Sequence, residues 1–191
     1  HLSEEQIKQL IKHADKLRDK VIIKLLAYCG LRRFELAKIK ISDVNLETNK
    51  ISIRGKKNID RLATMFSDQL VEDLKIYMQY VLNNAKQGYL FPAVSSLNDK
   101  EHITPTQINR IVAKAGHRAQ LNNPIPELKN INPHILRHSC ARILKDRGLS
   151  LEVVQRVLGH LSFKTTMHSY GTKSISEMDD ELKEKAGDLF D

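Results

Sequence analysis

Apolar residues in the first thirty positions recur at the three- and four-residue spacing of a helix face. Ser3, followed three places later by Gln6, has the pattern of a capping box, and Ile7, Leu10 and Ile11 supply the apolar face behind it. A second apolar helix is predicted from about Lys16 to Cys29, with Gly30 as its C-terminal cap. Between Ile39 and Met65 the period changes. Ile51-Ser52-Ile53 alternates, Gly55-Lys56-Lys57-Asn58 supplies a turn, and Arg61 to Met65 resumes a strand, which predicts a small antiparallel sheet with Lys56 at or near its tip.

Helical spacing then returns. Ser67 caps a long helix with apolar positions Leu70, Leu74, Tyr77, Met78, Val81 and Leu82, ending near Asn83-Asn84. Residues 88–103 lack periodicity and read as a connector. Thr104-Pro105-Thr106-Gln107 restarts a helix as cap, first-position proline and box residue, with Arg110, Lys114, His117 and Arg118 on its outward side. After a loop over 121–131, Asn132-Pro133 opens another helix, which Gly148 ends. Ser150 caps the next, with Leu151, Val154, Val157 and Leu158 as its buried stripe up to Gly159-His160. Met178, Leu182, Ala186 and Leu189 give the acidic C-terminal segment helical spacing. The fold class expected is mainly α with a small antiparallel three-stranded β-sheet, an α+β arrangement.

A chain of 191 residues is long enough for one well-filled core. No apolar run approaches the ~20 residues of a membrane-spanning helix, so no membrane partner is expected. Cys29 and Cys140 both sit inside apolar helical patterns, which argues for buried thiols in a reducing cytoplasm rather than a disulfide framework. The chain starts at His1 and shows no signal-peptide pattern, so an excised fragment lacking an upstream part is expected. The net charge of +8 is uneven. Ser174 to Asp191 holds seven acidic residues and two lysines, a net of −5, which leaves +13 on residues 1–173. A basic body of this kind suits a polyanionic partner, and an acidic terminus suits docking on its own body or on another subunit.

The candidate chemistry gathers between His134 and Tyr170. On a helix, His134, Arg137 and His138 fall at i, i+3 and i+4 on one face, opposite Leu136, Cys140, Ile143 and Leu144. The helix start adds the positive end of its dipole, so this face favours an anion. Two histidines at i and i+4 also have metal-ligand spacing, but no third ligand is evident and Arg137 between them would repel a cation. His160, just past a helix end, reads either as a terminal cap or as a member of the same site.

Taken in order, these segments resemble the catalytic domain of the tyrosine recombinase (phage integrase) family, from Leu2 to about Lys173. Gly30-Leu31-Arg32 with Glu35-Leu36 looks like its first arginine box, and Gly55-Lys56 like its β-hairpin lysine. Leu90-Phe91-Pro92 matches a recurrent marker. His134-Ile135-Leu136-Arg137-His138, Val153-Val154-Gln155 with Leu158-Gly159-His160, and Thr165-Thr166 with Tyr170 look like the second arginine box through to the nucleophile. Tyr170 lies ten residues after His160, the longer of two spacings found in the family, with Ser169 at the shorter one.

The resemblance implies a site-specific recombinase or integrase in which Tyr170 attacks a DNA phosphate and forms a 3′-phosphotyrosine, needing no metal, ATP or other cofactor. It implies that Arg32 and Arg137 clamp the phosphate, Lys56 protonates the leaving 5′-oxygen, His134 assists proton transfer at Tyr170 and His160 donates to a non-bridging oxygen. Glu35 and His138 are supporting residues in this reading, and Lys57, Arg110, Lys114 and Arg118 are candidate DNA-backbone contacts. Residues 1–173 are the expected catalytic domain and 174–191 an acidic helix that docks on a neighbouring subunit or on its own body. The family's N-terminal DNA-clamping domain is absent from the sequence. Double-stranded DNA is the expected partner, with a homotetramer on recombination sites and a monomer or dimer without DNA. A cytoplasmic location, with the nucleoid in a prokaryotic or viral setting, goes with it. Two other readings stay open, a type IB topoisomerase-like nicking-rejoining enzyme and a catalytically inactive DNA-binding module.

Overall fold

In the computed structural model, which describes residues 1–54, 59–93, 101–159 and 173–189 (without the side chains of 59 and 60), the core is organised around α2 (Leu17–Tyr28). Val21, Ile22, Ile23, Leu25, Leu26, Ala27 and Tyr28 are all buried, so this helix is apolar around most of its circumference and needs partners on several sides. They are α1 (Glu4–Lys12), α3 (Arg33–Ala37), α4 (Asp68–Ile76), α5 (Pro105–Arg118) and α6 (Pro133–Asp146). Asp19, paired with Arg18, and Lys24 are the buried charged exceptions on this helix; the Lys24 ammonium meets the Asp73 carboxylate of α4 at 2.5 Å.

The predicted caps at Ser3, Ser67, Thr104 and Asn132 hold in detail. Ser3 and Gln6 bond reciprocally at the start of α1, as Thr104 and Gln107 do at α5. The Asn132 side chain accepts from the Ile135 N–H at 3.1 Å, with Pro133 in the first turn of α6. Ser67 accepts from the Leu70 N–H at 3.2 Å. The helix behind Ser67 loosens into a π turn over Tyr77–Val81, and Val81, expected in the core, is 49% exposed.

The sheet has the order β1-β2-β3, all antiparallel: β1 (Val44–Asn45), β2 (Lys50–Arg54) and β3 (Ile59–Thr64). Ile51 pairs with Ala63 and Ile53 with Arg61 on the face turned to the helices. Arg54, at the end of β2, is anchored by Nε and Nη2 to the buried Asp43 carboxylate at 2.8 and 2.6 Å, which pins the base of the hairpin. The turn with Lys56 and Lys57 lies outside the described residues.

Two expectations for α7 (Leu151–Leu158) are corrected. Leu151 is 69% exposed at a depression it lines with residues of α6, and Val153 is buried instead beside Val154 and Leu158, because it is turned toward Ala63 and Thr64 of the sheet and Leu182. Ser150 stands at the N-cap position but does not cap with its side chain. Its N–H and hydroxyl both donate to Glu181, at 2.7 and 3.2 Å.

Glu181 belongs to α8 (Ile175–Ala186), which packs on this chain's own body through Met178, Leu182 and Ala186, followed by Leu189. Its acids meet basic partners there. Asp179 receives Lys50 at 2.7 Å, Arg156 at 2.9 Å and the Thr64 hydroxyl at 3.0 Å; Glu181 also receives Lys173 at 2.5 Å, and Asp188 pairs with Arg147. The charge asymmetry of the sequence is thus partly cancelled within one chain. Among the described residues, no helix is long and apolar enough to cross a membrane.

Candidate active site

The site forms where three helix ends meet. After Cys29, which closes α2, the chain turns at Gly30 so that Arg32 stands at the N-cap of α3. Glu35, in the first turn of α3, accepts the Arg32 backbone N–H at 2.7 Å and its guanidinium at 2.9 Å. That double contact holds the root of Arg32, while its side chain stays half exposed.

Arg137 comes across from α6. One Nη donates to the Gly30 carbonyl and the other to the Leu158 carbonyl at 2.6 Å. Both acceptors are carbonyls at or next to helix ends, which lack intrahelical donors. Arg137 therefore ties the first-box turn to the end of α7. Burial, with the nearby Arg32 and Arg61 guanidiniums, pushes Arg137 down to about 10, so it stays cationic at neutral pH.

His134 lies one turn before Arg137, exposed, in the first turn of α6. Arg32, Arg33, Phe34, Asn109, His134 and Arg137 line one open groove of about 610 Å³. Its floor is cationic: the Arg33 guanidinium lies 5.0 Å from the Phe34 ring centre, and Arg32 and Arg137 converge beside it.

The structure brings together Arg32, His134 and Arg137, with Glu35 bonded to Arg32. His138 is not brought to them. It lines a different depression with Arg142, Lys145 and Leu151, because residue i+4 on α6 has already rotated toward α7. Of the proposed backbone contacts, Arg110 is exposed beside Asn109, whereas Lys114 and Arg118 are paired with Asp15 (Lys114 at 2.7 Å), so their charge is already shared. Lys56, Lys57, His160 and Tyr170 lie outside the described residues.

Arg61 and Phe34 were missed by the sequence reading. Arg61, on β3, is buried, donates to the Val157 carbonyl at 2.7 Å and meets Glu35 at 3.2 Å. The signal for it was present: with Ala63 and Met65 it occupies the buried positions of an alternating strand, where an unpaired cation is not tolerated. Burial raises the Glu35 carboxyl, but the Arg61 charge and the Arg32 contacts outweigh it and hold it below the usual carboxylate range. Three guanidiniums around one carboxylate leave the site with excess positive charge, the state an anionic ligand requires.

A sequence model of the phage integrase family matches residues 1–176. The chain belongs to the phage integrase family. Tyrosine recombinase XerA of Pyrococcus horikoshii is 34% identical over 165 residues, covering 86% of this chain and 54% of that protein. The crystal structure of XerA recombinase superposes with a TM-score of 0.70 at 31% identity, over 96% of this chain and 64% of that one. The XerH site-specific recombinase bound to difH substrate, in a pre-cleavage complex, gives 0.63 at 25% identity, over 100% and 52%. The chain spans about half the length of the curated relatives it matches. The mostly helical fold with its three-stranded sheet is therefore the catalytic-domain fold of tyrosine recombinases.

Proposed function

We propose that this chain cleaves and rejoins double-stranded DNA as the catalytic domain of a site-specific recombinase, with Tyr170 as nucleophile. The observation that carries the reading is the convergence of Arg32 and Arg137 with His134 in one open groove at the start of α6. Membership of a family with relatives named tyrosine recombinases, and likeness to a site-specific recombinase seen bound to its difH substrate, support it.

In this reading the phenolic oxygen of Tyr170 attacks the scissile phosphorus, the bond to the 5′-oxygen breaks, and a 3′-phosphotyrosine forms. The phosphodiester energy is kept in the covalent bond, so no nucleotide triphosphate is consumed. The transition state gathers charge on its non-bridging oxygens. Arg32 has an exposed fork to offer them, and Arg137 adds charge from below while it is fixed by two carbonyls. A tyrosine with its usual pKa near 10 is barely ionised at neutral pH, so its proton needs a receiver, and we assign that role to His134, which lines the same groove as Arg32 and Arg137. Lys56 gives its proton to the leaving 5′-oxygen, and His160 donates to a non-bridging oxygen. Strand exchange requires partner subunits, and we propose a tetramer on DNA in which α8 exchanges its docking between bodies.

A duplex nicked just beyond the scissile phosphate traps the cleaved state, because the short 5′-product diffuses away. The wild-type chain is expected to form a covalent adduct on it, and Tyr170→Phe to form none while binding the same DNA. No adduct from a wild-type chain that binds would refute the reading, and an adduct from Tyr170→Phe would move the nucleophile elsewhere.

A further inference from the structure

The three guanidiniums around Glu35 differ in what they can reach. Arg32 is half exposed and Arg137 lines the groove, whereas Arg61 is only 8% exposed and lies behind them. Its Nη1 donates to the Val157 carbonyl and its Nη2 to Glu35, while its Nε has no hydrogen-bond partner among the described residues. Gly159 lies directly on it: a Cβ there would overlap Arg61 Cδ and Nε and stand 3.0 Å from Cζ. Arg61 cannot reach a DNA phosphate without leaving this seat.

Burying a guanidinium is costly unless a partner compensates it, and a cap for one carbonyl does not call for a full charge. The Glu35 carboxylate explains the charge. Both of its oxygens already accept from Arg32, one from the backbone and one from the side chain. With Arg32 as the only guanidinium bonded to it, Glu35 would hold that guanidinium in a closed pair, and a DNA phosphate would have to compete for it.

We propose that Arg61 is a positioning residue that carries the charge of Glu35 from behind, freeing the Arg32 fork for phosphate. This rests on the reading of Arg32 as a phosphate clamp. Arg61 also fixes the end of α7. It holds the Val157 carbonyl while Arg137 holds the next one, Leu158. One buried side chain thus sets β3, α3 and α7 in a common register. The charged groups facing Glu35 are Arg32 from the start of α3, Arg61 from β3 and Arg137 from α6, so removing Arg61 takes away its buried counter-ion.

The test is a double-mutant cycle with Arg61→Met and Glu35→Gln, read by single-turnover cleavage of the nicked duplex at saturating DNA. Alongside it, ¹³C side-chain NMR follows the titration of Glu35. Arg61→Met is expected to slow cleavage about tenfold or more, since a clamp held back from the transition state loses charge stabilisation. Adding Glu35→Gln to it is expected to restore the rate to within about twofold of Glu35→Gln alone, the two sites being coupled. Glu35 is expected to titrate at clearly higher pH in Arg61→Met than in the wild type. The double variant buries no uncompensated carboxylate, so its comparison with Glu35→Gln stands even where Arg61→Met alone does not fold. A double variant much slower than Glu35→Gln, or an unchanged Glu35 titration, would overturn the proposal and leave Arg61 a packing residue. A wild-type chain that forms no adduct would refute the proposed function instead, and the titration would then decide the role of Arg61 by itself.

Discussion

Gly159→Ala, set against Gly148→Ala, measures how firmly Arg61 is seated. Both glycines have left-handed backbone, φ +64 and +78, so an alanine at either costs about 1–2 kcal/mol in strain. At Gly148 nothing lies within 4 Å of the new methyl, so strain is the whole effect. At Gly159 the methyl would occupy the space of Arg61 Cδ and Nε. A flexible side chain would swing aside cheaply, but Arg61 is held at its far end by Val157 and Glu35. Moving it sacrifices two charge-assisted hydrogen bonds at about 1.5–3 kcal/mol each, so the excess loss over Gly148→Ala is expected to be about 3 kcal/mol, some bonding being recovered on relaxation. At about 2–4 °C per kcal/mol for a chain of this size, the two melting temperatures should differ by about 6–12 °C. Urea unfolding followed by far-ultraviolet circular dichroism gives the free energies directly. Equal losses in the two variants would mean that Arg61 yields freely, and the picture of a fixed strut would be wrong.

The acidic face of α8 predicts a stability loss in acid. Burial raises the Glu181 carboxyl, but the Lys173 ammonium and the Ser150 N–H outweigh it and bring it to about 2. A carboxylate lowered in the folded state stabilises fully above its unfolded pKa of about 4.5, and this contribution is lost as pH falls toward 2. Glu181→Gln should therefore melt lower than the wild type at pH 7 and lose less between pH 4.5 and 2; parallel melting curves across that window would contradict the assignment. In the core, Asp73→Ala strands the Lys24 ammonium and should cost about 3 kcal/mol in urea unfolding, most of it recovered by adding Lys24→Met. A loss below about 1 kcal/mol would show that Lys24 finds water instead.

The sequence by itself determined what depends on neighbours three or four residues apart. The caps at Ser3, Thr104 and Asn132 were legible because each is a local exchange of hydrogen bonds, and the Cys29-Gly30 helix end because backbone conformation is local. Family membership was legible because the motifs that carry the resemblance lie along the chain, and the match over residues 1–176 accords with it. Tertiary structure decided the rest. Leu151 has the spacing of a core residue, yet it is exposed, since which arc of a short helix meets its neighbour depends on how α6 and α7 cross. His138 and His134 are equivalent in spacing but open onto different depressions for the same reason. Arg61 reads as an ordinary strand arginine until Glu35, 26 residues earlier, and Val157, 96 residues later, close around it. A buried charge is tolerated only where its partners arrive; the alternation with Ala63 and Met65 marks Arg61 as buried, but which distant groups pair with it leaves no local pattern in the chain.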